Sequence, residues 1–215
     1  MPSKKILLIS ITGYSCSEVN KMKKLLITGF DPFAKYSMNP SWLAVKALPD
    51  TIGDYQLTKL LIPNIYNLEA RMVLEKAAEL QPEVILMTGM NASSLKLQLN
   101  IAALNIQDAP IEDNLGKRPW NQPIITNGPA AYFATIPLHE IYAKLHKSYP
   151  LQLEYGCGGY LCNDVFYQVA HHYADTSVRC GFIHIPLVPE MVWDEKDSLP
   201  LEISVATLKE IILNI

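Results

Sequence analysis

Two short runs of apolar residues, each ending at a glycine, constrain the fold of this chain more than any other feature. Residues 25–28 run into Gly29, and residues 84–87 run into Thr88 and Gly89. Such runs without polar alternation are typical of parallel strands that are buried on both faces. Between them, Leu68–Leu80 has apolar residues at helical spacing, with glutamate and lysine residues predicted on the other side. This alternation of buried strand and amphipathic helix predicts an α/β fold.

The rest of the chain continues the alternation. Asn39 followed by Pro40 has the residue types of a helix N-cap and a first-turn proline, which predicts a helix to about Leu48. Further predicted strands are 57–62, 95–101, 151–155 and 180–187, and further predicted helices are 139–147 and 203–213. The polar, proline-rich stretch 107–129 is predicted to be a long loop, and such loops in compact domains are usually functional or mobile.

The first 22 residues are predicted to be an extension of uncertain role, with the folded domain covering residues 23–215. Lys4 and Lys5 precede a short apolar run that has the outline of a secretory signal, at the lower limit of length. Residues 4–14 also partly repeat the pattern of residues 23–30, and Met22 stands directly before the second copy. Export through a short N-terminal signal stays open as an alternative.

Composition and charge argue against several classes of function. The formal net charge is -3 and no dense basic stripe appears, so neither nucleic acid nor an anionic membrane is an expected partner. The apolar run near the N-terminus is too short to span a bilayer. The four cysteines are scattered, without the spacing of a metal site or of a disulfide framework. This usage is typical of a reducing compartment, and we expect a cytoplasmic protein.

The strongest candidate for chemistry is a glycine turn that leads into a predicted helix, at residues 158–172. Cys162 lies in the first turn of this helix, where unpaired backbone N–H groups favour the thiolate, the form that attacks carbonyl groups. The alternative is that Cys162 is a small buried apolar residue, which is the usual state of a free cysteine.

A second candidate is His184, which lies in an otherwise apolar predicted strand where an imidazole must find a hydrogen-bond partner. A core histidine with such a partner is one interpretation. The other is that His184 and Cys162 meet at the carboxyl edge of the sheet, where α/β proteins bind ligands. A cysteine–histidine pair there would suit acyl transfer, in which the thiolate attacks and the imidazolium protonates the leaving amine.

The sequence lacks the glycine-rich motifs of nucleotide-binding proteins, so the strand and helix order does not indicate a nucleotide cofactor. His171 and His172 are adjacent and would point to different sides of a helix, which is poor geometry for a shared metal. No metal site and no cofactor are therefore predicted.

Several motifs, in order and at compatible spacing, carry a resemblance to a known family. They are Thr28-Gly29-Phe30-Asp31-Pro32-Phe33, Asn39-Pro40-Ser41, Asn105-Ile106-Gln107-Asp108-Ala109, Ile111-Glu112-Asp113-Asn114, Gly128-Pro129-Ala130-Ala131-Tyr132-Phe133, Tyr160-Leu161-Cys162-Asn163 and Phe182-Ile183-His184-Ile185-Pro186. With these motifs the chain resembles pyroglutamyl peptidase I, a family of cysteine peptidases that remove an N-terminal pyroglutamyl residue. The resemblance runs from about Lys23 to about Val192 and implies a single three-layer αβα domain with a twisted, mostly parallel central sheet.

The resemblance also assigns roles to individual residues. It implies Cys162 as nucleophile and His184 as base, with Asn100 at the position of the third catalytic residue. The implied pocket for the pyroglutamyl ring is lined by Phe30, Phe33, Met90, Ile111, Tyr160 and Leu161. A flat, neutral lactam is well held between apolar rings while backbone groups bind its amide edge. The implied partners are a small peptide with N-terminal pyroglutamate and, as in the family's tetramers, further copies of the chain.

Three departures from the family pattern bear on activity. Asn100 stands where the family has a glutamate, so it can orient His184 but cannot stabilise an imidazolium by charge. Ser94 stands where the family has an arginine, and Ala34-Lys35 follows Phe33 in place of a double glycine. Two alternatives to a fully active peptidase follow from them: a catalytically weakened homologue that binds pyroglutamyl or related ligands, and an enzyme that acts on a shifted acyl substrate.

Overall fold

The computed structural model describes residues 22–215, so the predicted extension at residues 1–22 lies almost wholly outside the described residues. Within this range the strands are β1 (Lys23–Phe30), β2 (Thr51–Ile52), β3 (Tyr55–Ile62), β4 (Val84–Met90), β5 (Leu97–Asn100), β6 (Ala102–Leu104), β7 (Ala131–Phe133), β8 (Leu151–Glu154) and β9 (Arg179–Ile185). A central seven-stranded sheet has the order β2-β3-β1-β4-β9-β5-β8. Its neighbouring strands are parallel except in the β2–β3 and β5–β9 pairs, so the sheet is mostly parallel, as predicted.

Helices cover both faces of the sheet. They are α1 (Pro40–Ala47), α2 (Leu68–Leu80), α3 (Leu138–Leu145), α4 (Leu161–His172) and α5 (Leu201–Leu213). Side chains of successive strand residues point to opposite faces, so Leu25 and Ile27 pack in the core formed with α1, α3 and α5, while Leu26 packs in the core formed with α2 and α4. The predicted three-layer αβα architecture is confirmed.

The strand predicted at residues 95–101 differs from the structure. It begins at Leu97 and ends at Asn100; the Ile101 N–H makes the last hydrogen bond to β8, at the Glu154 carbonyl, and the chain then leaves the main sheet. The next residues form β6, which pairs with β7 in a separate two-stranded sheet. Strands of three residues are too short to give a periodic signal, and the sequence did not predict this hairpin.

The carboxyl ends of β1, β4 and β9 lie at one edge of the sheet, because these three strands are parallel neighbours. Helix α1 begins at this edge, and the predicted cap is present: the Asn39 Oδ1 accepts a hydrogen bond from the Ser41 N–H at 3.1 Å. A Cβ on Gly29 would lie 2.7 Å from the Trp42 Cα, so only glycine permits this close approach of helix to strand. The edge is thereby closed on one side by α1.

The longest helices of the described chain, α2 and α5, have 13 residues each. A bilayer crossing needs about 20 apolar residues. None of the helices within residues 22–215 is therefore long and apolar enough to span a membrane.

Candidate active site

Cys162 is the second residue of α4, directly after a tight glycine turn. Gly158 in this turn has φ +76°, a left-handed conformation that glycine adopts without strain. The N-cap residue Tyr160 makes no side-chain capping bond, and the first backbone N–H that bonds back in the helix is that of Asp164, to the Tyr160 carbonyl at 3.0 Å. The N–H groups of the first helical residues have no acceptor within the helix. The N–H of Cys162 is one of them, and it lies close enough to the thiol to lower its pKa.

The thiol lies on the same face of the sheet as His184. Gly89 of β4 is the register partner of His184 in β9, and paired residues of neighbouring parallel strands point to the same face, about 4.8 Å apart. A Cβ built on Gly89 would lie 2.6 Å from the Cys162 Sγ and 2.8 Å from the Phe182 Cζ. The missing side chain of Gly89 therefore leaves the space in which the cysteine sits beside the histidine.

His184 and Asn100 are in direct contact. The His184 Nδ1 is 2.9 Å from the Asn100 Oδ1, and the Asn100 amide donates through Nδ2 to the Gly156 carbonyl at 2.7 Å. Because the amide nitrogen is already used, Asn100 presents only an acceptor to the ring. The proton of the neutral imidazole therefore resides on Nδ1, and Nε2 keeps its lone pair.

Burial sets the resting protonation of both groups. It raises the pKa of Cys162 to about 12; the residue's own backbone N–H opposes this with a lesser lowering, and the carboxyl group of Glu69 nearby adds a still smaller increase. It lowers the pKa of His184 to about 4. The position of Cys162 at a helix N-terminus alone predicts a lowered thiol pKa, and desolvation overrides it. The resting pair is a neutral thiol beside a neutral imidazole.

Two of the predicted pocket residues lie close together. The half-buried ring of Phe33 is 5.4 Å from the ring of Tyr160, measured between centroids, at an angle of 41°. The Tyr160 hydroxyl donates to the Glu112 carbonyl at 3.0 Å, which fixes the ring under the long loop. On its other side Tyr160 contacts Tyr66 edge to face, at 5.7 Å. Sequence reasoning did not single out Tyr66.

The other predicted pocket residues occupy different environments. Phe30 and Leu161 are each 1% exposed and belong to the core under α2 and α4. Met90, the last residue of β4, is half-buried next to Gly89, and Ile111 is 43% exposed on the long loop. The structure thus brings Phe33 and Tyr160 together, while Phe30 and Leu161 belong to the core cluster against which Tyr160 packs.

The long loop is held over this edge by side chains that the sequence did not mark as functional. Asn163, next to Cys162, accepts from the Leu104 N–H at 2.8 Å and donates to the carbonyls of Leu104 and Ile106. Asp113 accepts from the Tyr66 N–H at 3.0 Å and from two loop N–H groups, and these hydrogen bonds lower its pKa despite an opposing effect of burial. The signal was present in the Cys162-Asn163 and Asp113-Asn114 motifs, but the contacts require the tertiary fold.

The departures from the family pattern have structural counterparts. The Ser94 hydroxyl donates to the Lys96 carbonyl at 2.8 Å within its own turn, so its position carries a local hydrogen bond in place of a cation. Ala34 has φ +52°, the left-handed conformation that a glycine would adopt without cost. For a residue with a Cβ this conformation costs roughly 1–2 kcal/mol.

One residue of α2 contradicts the amphipathic prediction. Glu69 was expected on the polar side of the helix, but its exposed fraction is 0%. It lies on the buried stripe with Val73 and Ala77, four and eight residues further on. A glutamate is usually exposed to solvent, whereas the position of Glu69 along the helix indicated that it faces the core.

These features together define a candidate cysteine-hydrolase site in an α/β domain, with a cysteine at a helix N-terminus, a histidine on a central strand and an amide that accepts from the histidine. Comparison with known proteins agrees. The family model described as pyroglutamyl peptidase matches residues 23–215. The chain belongs to the pyroglutamyl peptidase family, and thereby to the cysteine peptidases of that type.

Individual relatives span most of the chain. It is 38% identical over 173 residues to a pyrrolidone-carboxylate peptidase of Bacillus thuringiensis, covering 79% of this chain and 80% of the relative. It is 35% identical over 184 residues to pyrrolidone-carboxylate peptidase 1 of Caldanaerobacter subterraneus, covering 84% and 91%. The crystal structure of pyroglutamyl peptidase I from Bacillus amyloliquefaciens superposes with a TM-score of 0.85 at 31% identity, over 89% of this chain and 96% of that one.

Proposed function

We propose that the protein is a cysteine exopeptidase that removes N-terminal pyroglutamate from peptides, with Cys162 as nucleophile, His184 as base and Asn100 as the orienting residue. The observation that carries the proposal is the placement of the Cys162 thiol over Gly89, the register partner of His184. Membership of the pyroglutamyl peptidase family supports the substrate class.

The neutral resting pair indicates how the first step proceeds. The Cys162 Sγ attacks the carbonyl carbon of the pyroglutamyl bond while its proton passes to the free Nε2 of His184. The unpaired N–H groups at the start of α4 stabilise the oxyanion of the tetrahedral intermediate. The amine then leaves with the proton from His184, and a thioester to Cys162 remains. Water, deprotonated by the same imidazole, hydrolyses this thioester and releases pyroglutamate.

The aromatic pair Phe33 and Tyr160 is the proposed wall for the lactam ring: the two rings contact each other, so the flat, neutral group would pack against their open faces and not between them. Met90 and Ile111 border the same edge of the sheet and complete the proposed pocket. Phe30 and Leu161 contribute the apolar support beneath it.

One observation favours the weakened-homologue alternative. Asn100 carries no charge, and both members of the cysteine–histidine pair are neutral at rest. No carboxylate then stabilises the imidazolium of His184 as it forms. Turnover should therefore be slower than in an enzyme with glutamate at the position of Asn100.

The test is the release of a fluorogenic amine from a pyroglutamyl amide under reducing conditions. We expect turnover by the wild-type protein, at least about 10³-fold reduced in Cys162→Ala. Cys157→Ala, which changes a buried thiol in the turn that precedes α4, is the matched control and should stay active. Tight binding of the amide without turnover by the folded wild type would favour the weakened homologue. Turnover of other N-terminally blocked amides in preference to the pyroglutamyl one would favour the shifted substrate.

Three broader expectations remain proposals. Residues 23–215 are proposed as the peptidase domain, the scattered cysteines favour a cytoplasmic location, and family resemblance favours a homo-oligomer such as a tetramer. Light scattering of the purified full chain would give the subunit count, and a monomeric mass would contradict the last of these.

A further inference from the structure

A buried acidic pair lies on the two helices α2 and α4, which pack together on the face of the sheet that carries Cys162. Glu69 of α2 and Asp164 of α4 are both 0% exposed. The Asp164 carboxylate accepts two amide hydrogen bonds, from Gln107 Nε2 at 2.6 Å to Oδ1 and from Gln168 Nε2 at 2.7 Å to Oδ2. Neither oxygen of Glu69 has a well-aligned hydrogen-bond donor among the described residues; the backbone N–H groups of Glu69 and Ala70 lie near enough only to lower its pKa slightly against burial. A buried carboxylate without donors is costly, so Glu69 must itself be the donor.

The two carboxyl groups contact each other. Burial, and then the hydrogen bond and negative charge of Asp164, raise the pKa of Glu69 to about 11. Glu69 is therefore a neutral acid at ordinary pH and donates its proton to Asp164, each of whose oxygens also accepts one amide hydrogen bond. One negative charge is shared between the two residues.

No cation neutralises this charge. The ion pairs within residues 22–215 include neither Glu69 nor Asp164. The titratable groups that face the pair from the packed elements are Tyr66 before α2, Asp113 of the long loop, and Tyr160 and Cys162 at the start of α4. On the Tyr66 side a cation, Lys117, contacts the ring of Tyr66 and not the pair: its Nζ lies 5.2 Å from the centre of the Tyr66 ring. The shared charge acts on Cys162 without a counter-ion.

We propose that Glu69 and Asp164 form a proton-sharing pair that positions the first turn of α4 and opposes ionisation of the Cys162 thiol. Asp164 lies two residues after Cys162, so a hydrogen bond from α2 to its carboxylate fixes the turn that carries the nucleophile. The same charge opposes the positive potential of the helix N-terminus at the thiol. The pair is a positioning device, and its role rests on the proposed function of Cys162.

The test uses the full-length protein and needs no peptidase substrate, so its outcome is independent of which acyl group the enzyme cleaves. The first readout is the rate of alkylation of Cys162 by iodoacetamide as a function of pH, with Cys162→Ala as background. We expect Asp164→Asn to shift the alkylation profile about one pH unit lower, because the shared charge is removed. Glu69→Gln, which keeps a donor to Asp164, should leave the profile near that of the wild type, whereas Glu69→Leu should slow alkylation or broaden the profile.

The second readout is the slope of the unfolding free energy with pH between pH 6 and 9. The wild type should lose stability with a slope of one proton relative to Glu69→Gln, because only the folded chain keeps Glu69 protonated in this range. Glu75→Gln, an exposed acid on the same helix, is the matched control and should keep the wild-type slope. An unchanged slope in Glu69→Gln, or an unshifted alkylation profile in Asp164→Asn, would overturn the proposal. Should Glu69→Leu fail to fold, these two variants still decide it.

Discussion

The two sides of Cys162 are built from different chemistry. On the sheet side, His184, Asn100 and Gly156 form a line of neutral groups joined by hydrogen bonds of 2.9 and 2.7 Å. On the helix side, Glu69 and Asp164 are buried carboxyl groups. The sheet side orients the imidazole by hydrogen bonds between neutral groups. The helix side carries a negative charge and makes no hydrogen bond to the thiol. Substitutions on the sheet side should therefore lower the rate of hydrolysis. Substitutions on the helix side should change the pH dependence of Cys162 reactivity.

The difference also appears in stability. Burial holds His184 neutral, with a pKa of about 4 in place of 6.5, so the folded chain binds fewer protons than the unfolded chain between these values. Glu69 has a pKa raised from 4.5 to about 11, so the folded chain binds more protons over that range. The sheet side makes stability increase with pH and the helix side makes it decrease. The two contributions overlap only in the weakly acidic range.

The largest effect is expected from Asn100→Ala, which breaks the sheet side. Without the amide oxygen the His184 ring loses its fixed orientation and tautomer, and the Gly156 carbonyl loses its donor. We expect kcat for pyroglutamyl amide hydrolysis to fall by about 10³-fold, of the order seen when a catalytic histidine is held in the wrong tautomer. KM should change little, because Asn100 does not face the proposed pocket.

Asn105→Ala is the matched control for Asn100→Ala. Asn105 also holds backbone groups of a loop, donating to the Ile125 carbonyl at 2.9 Å, but it has no contact with His184. Both variants should lose stability by about 1–3 kcal/mol, measured by urea unfolding. An equal loss of kcat in the two would show that Asn100 acts only through the fold.

The next effect is the acid sensitivity of the sheet side. Above pH 6.5 the stability from the buried neutral His184 is complete, and it is lost as pH falls toward 4, because the unfolded chain then gains a proton that the folded chain excludes. Over this window the loss from this group is about 3 kcal/mol. Unfolding free energies of wild type and His184→Gln, measured at intervals from pH 4 to 7, should diverge in slope by up to one proton.

His139→Gln provides the comparison, since His139 is exposed on α3. It should keep the acid slope of the wild type. Parallel curves for wild type and His184→Gln would mean that the imidazole is readily protonated in the folded state, and the neutral character of the sheet side would then be wrong.

Whether the sequence predicts a feature of either side depends on how far apart in the chain the residues that form it lie. The turn into α4 and the capped start of α1 are local patterns, and both were predicted from residues within one turn of each other. The meeting of Cys162 and His184 followed from the general rule for carboxyl edges of α/β sheets. The contact of Asn100 with His184 came from the family resemblance, because β5 runs antiparallel to β9 and no local pattern sets that register.

The helix side was not predicted, for a physical reason. Glu69 falls on the helical stripe of Val73 and Ala77, but a glutamate is usually assigned to solvent because an isolated buried charge is so unfavourable. Only a partner from another element makes the position possible, and Asp164 follows almost a hundred residues later in the chain. Two acidic residues that share a proton do not form the pattern of acidic and basic residues by which an ion pair can be predicted from a sequence.

The smallest effect is expected from Asn100→Glu, which gives the sheet side the charge it lacks. A carboxylate on the His184 Nδ1 should raise the pKa of the imidazole above its present value of about 4 and stabilise the imidazolium that forms as Cys162 attacks. We expect kcat/KM to increase about tenfold at neutral pH. The gain is limited because a carboxylate cannot donate to the Gly156 carbonyl as the amide does.

Asn100→Gln, which has the length of glutamate without its charge, separates the effect of charge from that of size. A gain in kcat/KM with Glu and none with Gln supports the charge argument. A fall in kcat/KM with both variants would instead show that the sheet side requires the shorter amide of Asn100. The charge near this site would then come only from Glu69 and Asp164.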